Sequence, residues 1–447
     1  MTNEKKNIIL ITIDSLRKDH LSCYDSNYLK TPNIDKLASE GCVFNNAFAG
    51  GSNTVTSVTS FLTSIPAPFV RKEHQTIQEI LRNNGYKTIS YNPNVQLVYG
   101  FCRELGITRG FEKYDTLLGS TRERFEVPIE EGIGKIGQIT TNLFSKNSIV
   151  YRLISNIVGY LPIPITKPAP RAHEINRKAI STLTNNDKPV FLWLFYLDVH
   201  NPYMPTKRTN SSEYLNVVST NRKLRYFKKY LSIKDGEKLH SLYIEEIEQL
   251  DKEIGNLMSE LKENGLYENS VIIFTADHGE QFGEHGDFGH GALYDEVISV
   301  PLIIKLANDD CHLKKIESLV SLTNIPSTIM EVANYNQKIF SGKSLYSSIN
   351  SLEDERTFVL CFGNTSGDNY CLRTKRWKVI ISNKKIELFN LEKDPMEKVD
   401  IYHDYTDFAR NLQMDAISYL NNLKQYYAKS SEELKIKRVV EKFRKTM

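Results

Sequence analysis

Five hydrophobic runs in the N-terminal two-thirds of the chain predict buried β-strands. They cover residues 8–13, 86–91, 190–197, 271–275 and 300–305. Apart from the run at 86–91, polar side chains are rare in them. This pattern is typical of strands that are covered on both faces in a parallel sheet.

The spacing of apolar residues predicts helices between these strands. Leucine and isoleucine recur every three to five residues from 237 to 263, the period of one buried helix face. Shorter helices are expected at 33–40, where Thr31 and Pro32 are N-terminal signals, and at 75–84. We expect the charged face of the long helix to be only solvated. The alternation of strands and helices indicates an α/β domain.

The pattern changes near residue 350. Four short runs follow, at residues 358–362, 370–374, 377–381 and 386–389, and turn residues separate them. They predict a small antiparallel sheet, and the chain after about Thr406 resembles a helix with a basic end. We therefore expect an α/β domain over residues 1–350 and a small α+β subdomain over 351–447. We expect the basic end to be solvated, with contact to an anionic surface as the alternative.

Length and composition place the chain among ordinary globular proteins. It has 447 residues, of which 40% are hydrophobic and 25% charged, and a formal charge of +3. This balance favours neither a nucleic acid nor an acidic partner. The six cysteines form no CxxC pair, so we expect small buried side chains rather than a disulfide framework. No signal-peptide core and no apolar run long enough to span a bilayer is found, which predicts a cytoplasmic protein without a transmembrane segment.

Candidate functional residues follow three of the predicted strands. Asp14 comes directly after the first strand, Asp198 and His200 follow the strand at 190–197, and Asp277-His278 follows the strand at 271–275. Parallel strands leave a sheet from the same edge, where ligands bind, so we expect these side chains to converge. For Asp14 taken alone, an exposed loop carboxylate is an equally good explanation.

A glycine-rich loop follows Asp277-His278. It has glycines at 279, 283, 286 and 289, and three of the ten histidines (His278, His285 and His290) lie within thirteen residues. This glycine density suits a backbone that turns sharply close to a ligand. A single histidine is more often a surface residue, but the cluster indicates a metal or oxyanion site.

Thr54 lies where a glycine loop leads into a run of hydroxyl residues that becomes apolar, as if a loop fed directly into a helix. A helix N-terminus attracts anions. The Thr54 hydroxyl could act as a nucleophile if a metal lowered its pKa. An ordinary N-terminal run of Ser and Thr is the alternative.

These residues together suggest one site. Asp14, Asp277 and His278 would provide two oxygens and one nitrogen for a metal, and Thr54 could be the fourth ligand. The remaining histidines would bind a tetrahedral anion or protonate the leaving group; they are His200, His285 and His290.

Seven segments resemble the sulfatase branch of the alkaline phosphatase superfamily. They occur in order between residues 9 and 395: I-L-I-T-I-D-S-L-R-K-D-H-L-S-C-Y, T-P-N-I-D-K-L-A-S-E-G-C-V-F-N-N-A-F, F-Y-L-D-V-H-N-P-Y, Y-I-E-E-I-E-Q-L-D-K-E-I-G-N-L, F-T-A-D-H-G-E-Q-F-G-E-H-G-D-F-G-H-G, V-P-L-I-I and E-L-F-N-L-E-K-D-P. The resemblance implies a sandwich with a large, mostly parallel central sheet flanked by helices, followed by the small antiparallel subdomain. It also implies a metal-dependent hydrolase or transferase acting on a sulfate or phosphate ester.

The resemblance also implies roles for individual residues. Asp14, Asp277 and His278 match metal ligands, and Thr54 falls at the nucleophile position, where it could also ligate the metal. His200 resembles a substrate-contacting histidine.

Four further residues complete the implied site. His285 matches the histidine of the family's E-H-G, and His290 stands where many sulfatases have a lysine. Arg17 and Asn53, which neighbour the motif residues, are expected to contact the substrate together with His200 and His290.

Two departures from the family pattern bear on the chemistry. Formylglycine-dependent sulfatases need Cys or Ser in C/S-x-P-S/A-R, whereas this chain has Thr54 there and Val58 in place of the arginine. A threonine cannot become the formylglycine aldehyde, so the site is more similar to those of threonine-nucleophile phosphodiesterases and phosphoethanolamine transferases. Ser15 replaces the second aspartate of the usual pair, so we expect one divalent metal, Zn²⁺ or Mn²⁺ in preference to Ca²⁺ or Mg²⁺.

The sequence therefore predicts a hydrolase that cleaves a sulfate or phosphate (di)ester of a small molecule or glycan through a covalent Thr54 intermediate. The alternatives are a transferase that moves a phospho-substituent onto a glycan, and a non-catalytic binding protein with a decayed site. The oligomeric state has no signal in the sequence. Residues 117–180 and 203–235 have no interpretable pattern, and we expect them to shape the substrate pocket.

Overall fold

The hydrophobic runs form the strands of one large sheet in the computed structural model of the chain. It describes residues 5–24, 26, 28–118, 170–204, 211–228, 231–309, 315–335, 340, 342–350, 357–383 and 385–446. Most of the stretch 117–180, and parts of 203–235, lie outside the described residues, so their expected role in the pocket stays a prediction.

Fourteen strands are described. They are β1 Asn7–Ile13, β2 Cys42–Phe48, β3 Lys87–Tyr91, β4 Lys113–Asp115, β5 Val190–Tyr196, β6 Ser270–Ala276, β7 Gln281–Phe282, β8 Phe288–Gly289, β9 Leu302–Lys305, β10 Lys315–Ser321, β11 Val359–Phe362, β12 Tyr370–Arg373, β13 Trp377–Ile381 and β14 Ile386–Asn390.

Eight of these strands form the central sheet, in the order β10-β2-β9-β6-β1-β5-β3-β4. β1 lies near the middle and pairs in parallel with β5 and β6, so that Ile8 is opposite both Phe191 and Val271. Among the described strands of this sheet, β9 alone is antiparallel to its neighbours. The sheet is therefore mostly parallel, as predicted. The sequence pattern did not indicate β2, β4 or β10.

Eleven α-helices are described, and they account for most of the connections. They are α1 Pro32–Glu40, α2 Thr54–Thr63, α3 Ile77–Asn83, α4 Gly100–Leu105, α5 Ala172–Thr184, α6 Ser211–Phe227, α7 Ile233–Glu263, α8 Asp295–Ile298, α9 Ile325–Val332, α10 Tyr346–Asn350 and α11 Thr406–Thr446. None of these helices combines the length and the apolar character that crossing a bilayer requires.

Helix α7 buries the predicted apolar stripe, but the expectation that its charged face is only solvated is wrong for two residues. Glu246 is completely buried and Asp251 is 2% exposed. Asp251 accepts hydrogen bonds from the backbone N–H groups of Asn33 (3.1 Å) and Ile34 (2.9 Å), at the N-terminus of α1, where a carboxylate is favoured. Glu246 accepts one from the backbone N–H of Met204 at 2.7 Å. These carboxylates tie α7 to the rest of the domain.

The cysteines agree with the expectation of small buried side chains in most cases. Cys102, Cys361 and Cys371 are free and buried, and Cys23 is free and partly buried. Cys42 is disulfide-bonded, which the cysteine spacing did not indicate.

The C-terminal strands form the predicted antiparallel sheet, in the order β11-β12-β13-β14. Its edge strand β11 contacts the loop that leads into α2. The Phe362 N–H donates to the Gly50 carbonyl at 3.2 Å, and the Ser52 N–H donates to the Phe362 carbonyl at 3.1 Å. The fold class is thus confirmed, and the small sheet supports the loop that precedes Thr54.

Candidate active site

Five connections meet at one edge of the large sheet. β1, β2, β3, β5 and β6 all run in the same direction, so the segments that follow them leave from the same side. These segments carry Asp14, Thr54, Asn94, His200 and the Asp277-His278 pair. The structure thus brings Asp14, Thr54 and Asp277-His278 together, as the strand ends predict.

Asp14, Asp277 and His278 are completely buried, and one ligand atom of each lies within 4.8 Å of the others. The Nε2 atom of His278 is 3.6 Å from Asp14 Oδ1 and 3.4 Å from Asp277 Oδ2. This is a compact set of two carboxylates and one imidazole, the donor types that bind divalent transition metals.

Backbone and hydroxyl groups hold the two carboxylates in place. The Ser15 N–H donates to Asp277 Oδ1 at 3.3 Å, the Ser15 hydroxyl donates to Asp14 Oδ1 at 3.1 Å, and the His278 N–H donates to Asp277 Oδ1 at 2.9 Å. Ser15 has a positive φ of 64°, which is uncommon for a residue other than glycine. Its hydroxyl therefore supports a candidate metal ligand at the position where a second aspartate would supply one.

The protonation pattern of this set leaves room for a cation. The Nδ1 atom of His278 is 2.9 Å from the Gly279 carbonyl, which only accepts, so Nδ1 carries the proton and Nε2 presents a lone pair. Burial, with a smaller effect of His290, lowers the pKa of His278 to about 4. Burial and the neighbouring Asp14 raise the pKa of Asp277 well above its usual range.

The surroundings of Asp277 Oδ2 also bear on whether a metal fits this set. This atom is buried and has no hydrogen-bond partner among the described residues. Burial and the facing Asp14 carboxylate raise the pKa of Asp277, so without a metal this set holds a proton, and a bound divalent ion would take the place of that proton and offset the same repulsion. The residues therefore fit the predicted metal.

Thr54 is the first residue of α2 and lies beside this set. Its side chain is buried, with Oγ1 3.4 Å from Asp14 Oδ2 and 3.3 Å from His278 Nε2. Asn53 caps the helix, because its Oδ1 accepts the Thr56 N–H at 3.1 Å. The Asn53 Nδ2 group donates to the Gly363 carbonyl at 3.1 Å, so this side chain joins α2 to the C-terminal sheet. Val58, at the position of the family's arginine, is buried in the core.

His290 and His200 line the site next to His278. The His290 ring centroid is 4.4 Å from that of His278 and 5.7 Å from that of His200. His290 Nδ1 is 3.3 Å from Oε1 of Glu280, a fully buried carboxylate that also accepts the Tyr203 hydroxyl at 3.0 Å. Against the effect of burial, His290 and its neighbours lower the pKa of Glu280 to about 2. Burial alone would lower the pKa of His290, but Glu280 raises it.

Arg17 and His285 contact other groups. The Arg17 guanidinium is buried and forms ion pairs with Asp19 at 2.7 Å and Glu284 at 2.6 Å, and it also donates to the Glu280 carbonyl at 3.1 Å. His285 stacks on Tyr294, with ring centroids 3.6 Å apart.

The His285 imidazole is also paired with a carboxylate, because its Nε2 atom is 3.3 Å from Glu296. Arg17 and His285 thus fix the shape of the loop after β6. The expected contact of Arg17 with substrate and the expected catalytic role of His285 stay predictions.

The sequence reasoning missed three residues near the site. Asn94 donates from Nδ2 to Asp14 Oδ2 at 3.0 Å, Glu280 holds His290, and Lys228 approaches the same loop from the end of α6. Asn94 had a signal, since it follows the predicted strand at 86–91 just as Asp14 follows the first strand. Lys228 had none, because nothing in its local sequence distinguishes it from other surface lysines.

Comparison with known protein families gives two matches. The Sulfatase family model matches residues 6–335, and the model described as N-sulphoglucosamine sulphohydrolase, C-terminal, matches residues 283–425. The first match covers well over half of the chain and contains Asp14, Thr54, Asp277 and His278.

Individual proteins are similar at lower identity. Human iduronate 2-sulfatase is 25% identical over 350 residues, which cover 68% of this chain and 60% of that protein. The matched part thus spans about 60% of the length of that relative. The arylsulfatase of Clostridium perfringens (strain 13 / Type A) is 23% identical over 462 residues, covering 91% of this chain and 93% of that one.

Solved structures share the fold. A protein in complex with its substrate D-glucosamine-2-N,6-O-disulfate has a TM-score of 0.68 at 19% identity, covering 94% of this chain and 98% of that one. The phosphonate monoester hydrolase of Agrobacterium radiobacter has a TM-score of 0.65 at 19% identity, covering 95% and 96%. These similarities support the same architecture over nearly the whole chain.

Proposed function

The chain belongs to the sulfatase family, and from that premise we propose that it is a metal-dependent hydrolase of a sulfate or phosphate ester with Thr54 as its nucleophile. The observation that carries the proposal is the position of the Thr54 hydroxyl. Its oxygen lies 3.4 Å from Asp14 and 3.3 Å from His278, at the N-terminus of α2. A nucleophile needs an activating partner within reach, and this hydroxyl has one in the predicted cation site.

Asp14, Asp277 and His278 would hold the metal. When bound, a divalent ion would lower the pKa of the neighbouring hydroxyl and offset the negative charge of the ester. The Ser15 and Asn94 side chains keep the Asp14 carboxylate in place through bonds of 3.1 and 3.0 Å. This support is what a metal ligand needs to retain its orientation.

Thr54 would attack the sulfur or phosphorus atom of the ester. Its oxygen forms the new bond while the bond to the leaving alcohol oxygen breaks, and the Thr54 proton passes toward Asp14 Oδ2. The free N–H groups at the N-terminus of α2 face the charge that develops on the transferred group. The product of this step is a covalent Thr54 ester.

His290 would protonate the leaving alcohol. Its Nδ1 atom is held by Glu280, which leaves Nε2 as the group that donates the proton. The neutral imidazole can then accept a proton from the water whose oxygen bonds to the sulfur or phosphorus atom of the Thr54 ester. The bond from that atom to the Thr54 oxygen breaks, sulfate or phosphate is released, and the proton held at Asp14 Oδ2 returns to the Thr54 oxygen. His200, whose ring is 5.7 Å from that of His290, would orient the same anion.

The mechanism does not require formylglycine. Threonine cannot be converted into that aldehyde, and the hydroxyl of Thr54 already occupies the place next to Asp14 and His278. Both sulfate and phosphorus esters remain within the proposal. One solved relative was crystallised with a sulfated glucosamine substrate, and another is a phosphonate monoester hydrolase.

Turnover of aryl esters tests this function. We expect the metal-stripped protein, resupplied with Zn²⁺ or Mn²⁺, to hydrolyse at least one of p-nitrophenyl sulfate, p-nitrophenyl phosphate and a p-nitrophenyl phosphodiester. Release of p-nitrophenol is measured with and without metal. Equal turnover in both conditions, or none on any ester, would contradict the proposal.

Loss of the Asp277 carboxylate should weaken metal binding. We expect the wild-type protein to bind one Zn²⁺ or Mn²⁺, and Asp277→Asn to bind it about 100-fold more weakly or worse, because an anionic ligand is lost. Equilibrium dialysis with elemental analysis measures the affinity. Asp287→Asn changes an exposed carboxylate ten residues further along the same loop and should bind metal as the wild type does. Similar affinities for Asp277→Asn and wild type would exclude this site.

A further inference from the structure

Lys228 reaches the loop of His290 from the end of α6. A Cβ built on Gly289, the residue before His290, would lie 3.6 Å from Lys228 Nζ and 3.3 Å from Glu280 Oε1. The ammonium and the carboxylate therefore lie close to the same piece of backbone. Glu280 already orients the His290 ring. Lys228 adds a positive charge beside the residue that precedes His290.

The end of α6 is held against the site by a fixed contact. Asn221 lies on the buried face of α6. Its side chain accepts the Tyr203 N–H at 2.7 Å and donates to the Tyr203 carbonyl at 2.9 Å. The Tyr203 hydroxyl in turn donates to Glu280 Oε2 at 3.0 Å. This chain of hydrogen bonds connects the helix that carries Lys228 to the carboxylate behind His290.

The side of the site formed by α2 supplies no basic side chain. Residues 50 to 70 contain neither lysine nor arginine. The Arg17 guanidinium is buried and paired with Asp19 and Glu284. Lys228, by contrast, is on the solvent side, and its side chain is 37% exposed. The Lys228 ammonium lies beside Gly289, the residue that precedes His290, and a lysine side chain is long and flexible enough to turn from there toward an anion bound next to His290.

The present partner of Lys228 is easily exchanged. Its Nζ is 3.2 Å from Asp287 Oδ1, and the two side chains are 37% and 57% exposed. Exposed ion pairs of this kind contribute little stability. The ammonium can leave Asp287 for a more highly charged anion without a large energetic cost.

We propose that Lys228 binds the sulfuryl or phosphoryl group of the substrate, and that its ammonium moves from Asp287 to an oxygen of that group beside His290. The identity of the substrate group rests on the proposed function, but binding of an inorganic anion does not require turnover. Because Lys228 contributes one positive charge, its contribution should be larger for a phosphate monoester dianion than for a sulfate monoester monoanion.

Anion binding to a protein that cannot turn over tests the proposal. In the Thr54→Ala background with metal present, calorimetry with inorganic phosphate should show about tenfold weaker binding after Lys228→Met, the loss of one charge-assisted hydrogen bond. Lys228→Arg should retain most of the affinity. Asp287→Asn keeps the acceptor for the Phe288 N–H but releases Lys228, so it should bind phosphate more tightly.

Lys223→Met is the matched control. Lys223 lies on the same helix, and its ammonium is 3.4 Å from Asp235. Its loss should leave phosphate affinity unchanged. In the protein that retains Thr54, Lys228→Met should raise KM more than it lowers kcat. The rise in KM should be larger for p-nitrophenyl phosphate than for p-nitrophenyl sulfate.

The outcomes separate this inference from the proposed function. If Lys228→Met loses phosphate binding but the protein hydrolyses none of the esters, the anion-binding role of Lys228 is supported and the proposed hydrolase activity is overturned. Turnover with the same KM in Lys228→Met and wild type would overturn the substrate-binding role of Lys228 and leave the proposed hydrolase activity standing. Equal losses in Lys228→Met and Lys223→Met, or no phosphate binding by the Thr54→Ala protein, would also overturn the role of Lys228.

Discussion

Thr54→Ala is expected to lower kcat by about a thousandfold or more while the protein stays folded, because the substitution removes the oxygen that we propose as the attacking atom. The Thr54 hydroxyl makes long contacts, of 3.4 Å to Asp14 and 3.3 Å to His278, and it also lies within hydrogen-bonding reach of Asp277. Its loss therefore costs little stability. Steady-state turnover of p-nitrophenyl esters and a thermal melt measure the two effects.

Two further variants make this result specific to the hydroxyl at residue 54. Thr54→Ser keeps a hydroxyl at the same carbon position and should retain measurable turnover. Thr59→Val changes a buried threonine of the same helix whose hydroxyl faces Cys102, and should leave kcat within about twofold of wild type. Turnover by Thr54→Ala close to that of the wild-type protein would assign the nucleophile to another group.

The candidate site could be predicted largely because strand ends are visible in the sequence. A hydrophobic run identifies a strand buried on both faces, and the parallel-sheet rule then places the residue after it at the binding edge. Asp14 and Asp277 each follow such a run directly, and their ligand atoms lie within 4.8 Å of each other and of His278. This reasoning needs only local pattern and strand direction.

The same reasoning fails where the local pattern is weak. β2 contains Asn45 and Asn46 in its middle, and β10 contains Lys315, Glu317 and Ser318, so neither strand forms a clear hydrophobic run. Helix α7 shows a regular apolar stripe, yet Glu246 and Asp251 on it are buried because distant backbone N–H groups bind them. Tertiary partners of this kind leave no trace in local sequence.

Long-range support of the site is also invisible in the sequence. Residues from three separate parts of the chain hold the nucleophile loop and the histidine loop, and all of them lie far away in sequence. Phe362 pairs with the loop before Thr54, Tyr203 binds Glu280, and Lys378 binds the residue that begins α8. The sequence located the candidate reacting groups, whereas the structure shows what positions them.

Lys378→Met should destabilise the protein by about 3–5 kcal/mol, because it leaves the buried Glu397 carboxylate without the lysine it pairs with and leaves the partly buried Asp295 with Arg373 alone. Lys378 is fully buried, and its Nζ lies 2.8 Å from Asp295 and 2.6 Å from Glu397. Asp295 begins α8, directly after the His290 loop, so this cluster fastens the C-terminal sheet to the active-site domain. Urea unfolding at pH 7 measures the loss.

The pH dependence and a matched lysine distinguish this cause from a simple packing defect. Against the effect of burial, Lys378 and Arg373 lower the pKa of Asp295 to about 2 in the wild-type protein. Burial already raises the pKa of Glu397 to about 7 in the wild-type protein, and the loss of Lys378 should raise it further, so the stability deficit should be larger at pH 8 than at pH 5. Lys385→Met removes an exposed lysine paired with Glu387 in the same sheet, and should cost less than about 1 kcal/mol at either pH. A deficit in Lys378→Met that is the same at pH 5 and pH 8 would show that lost packing, and not unpaired charge, is responsible.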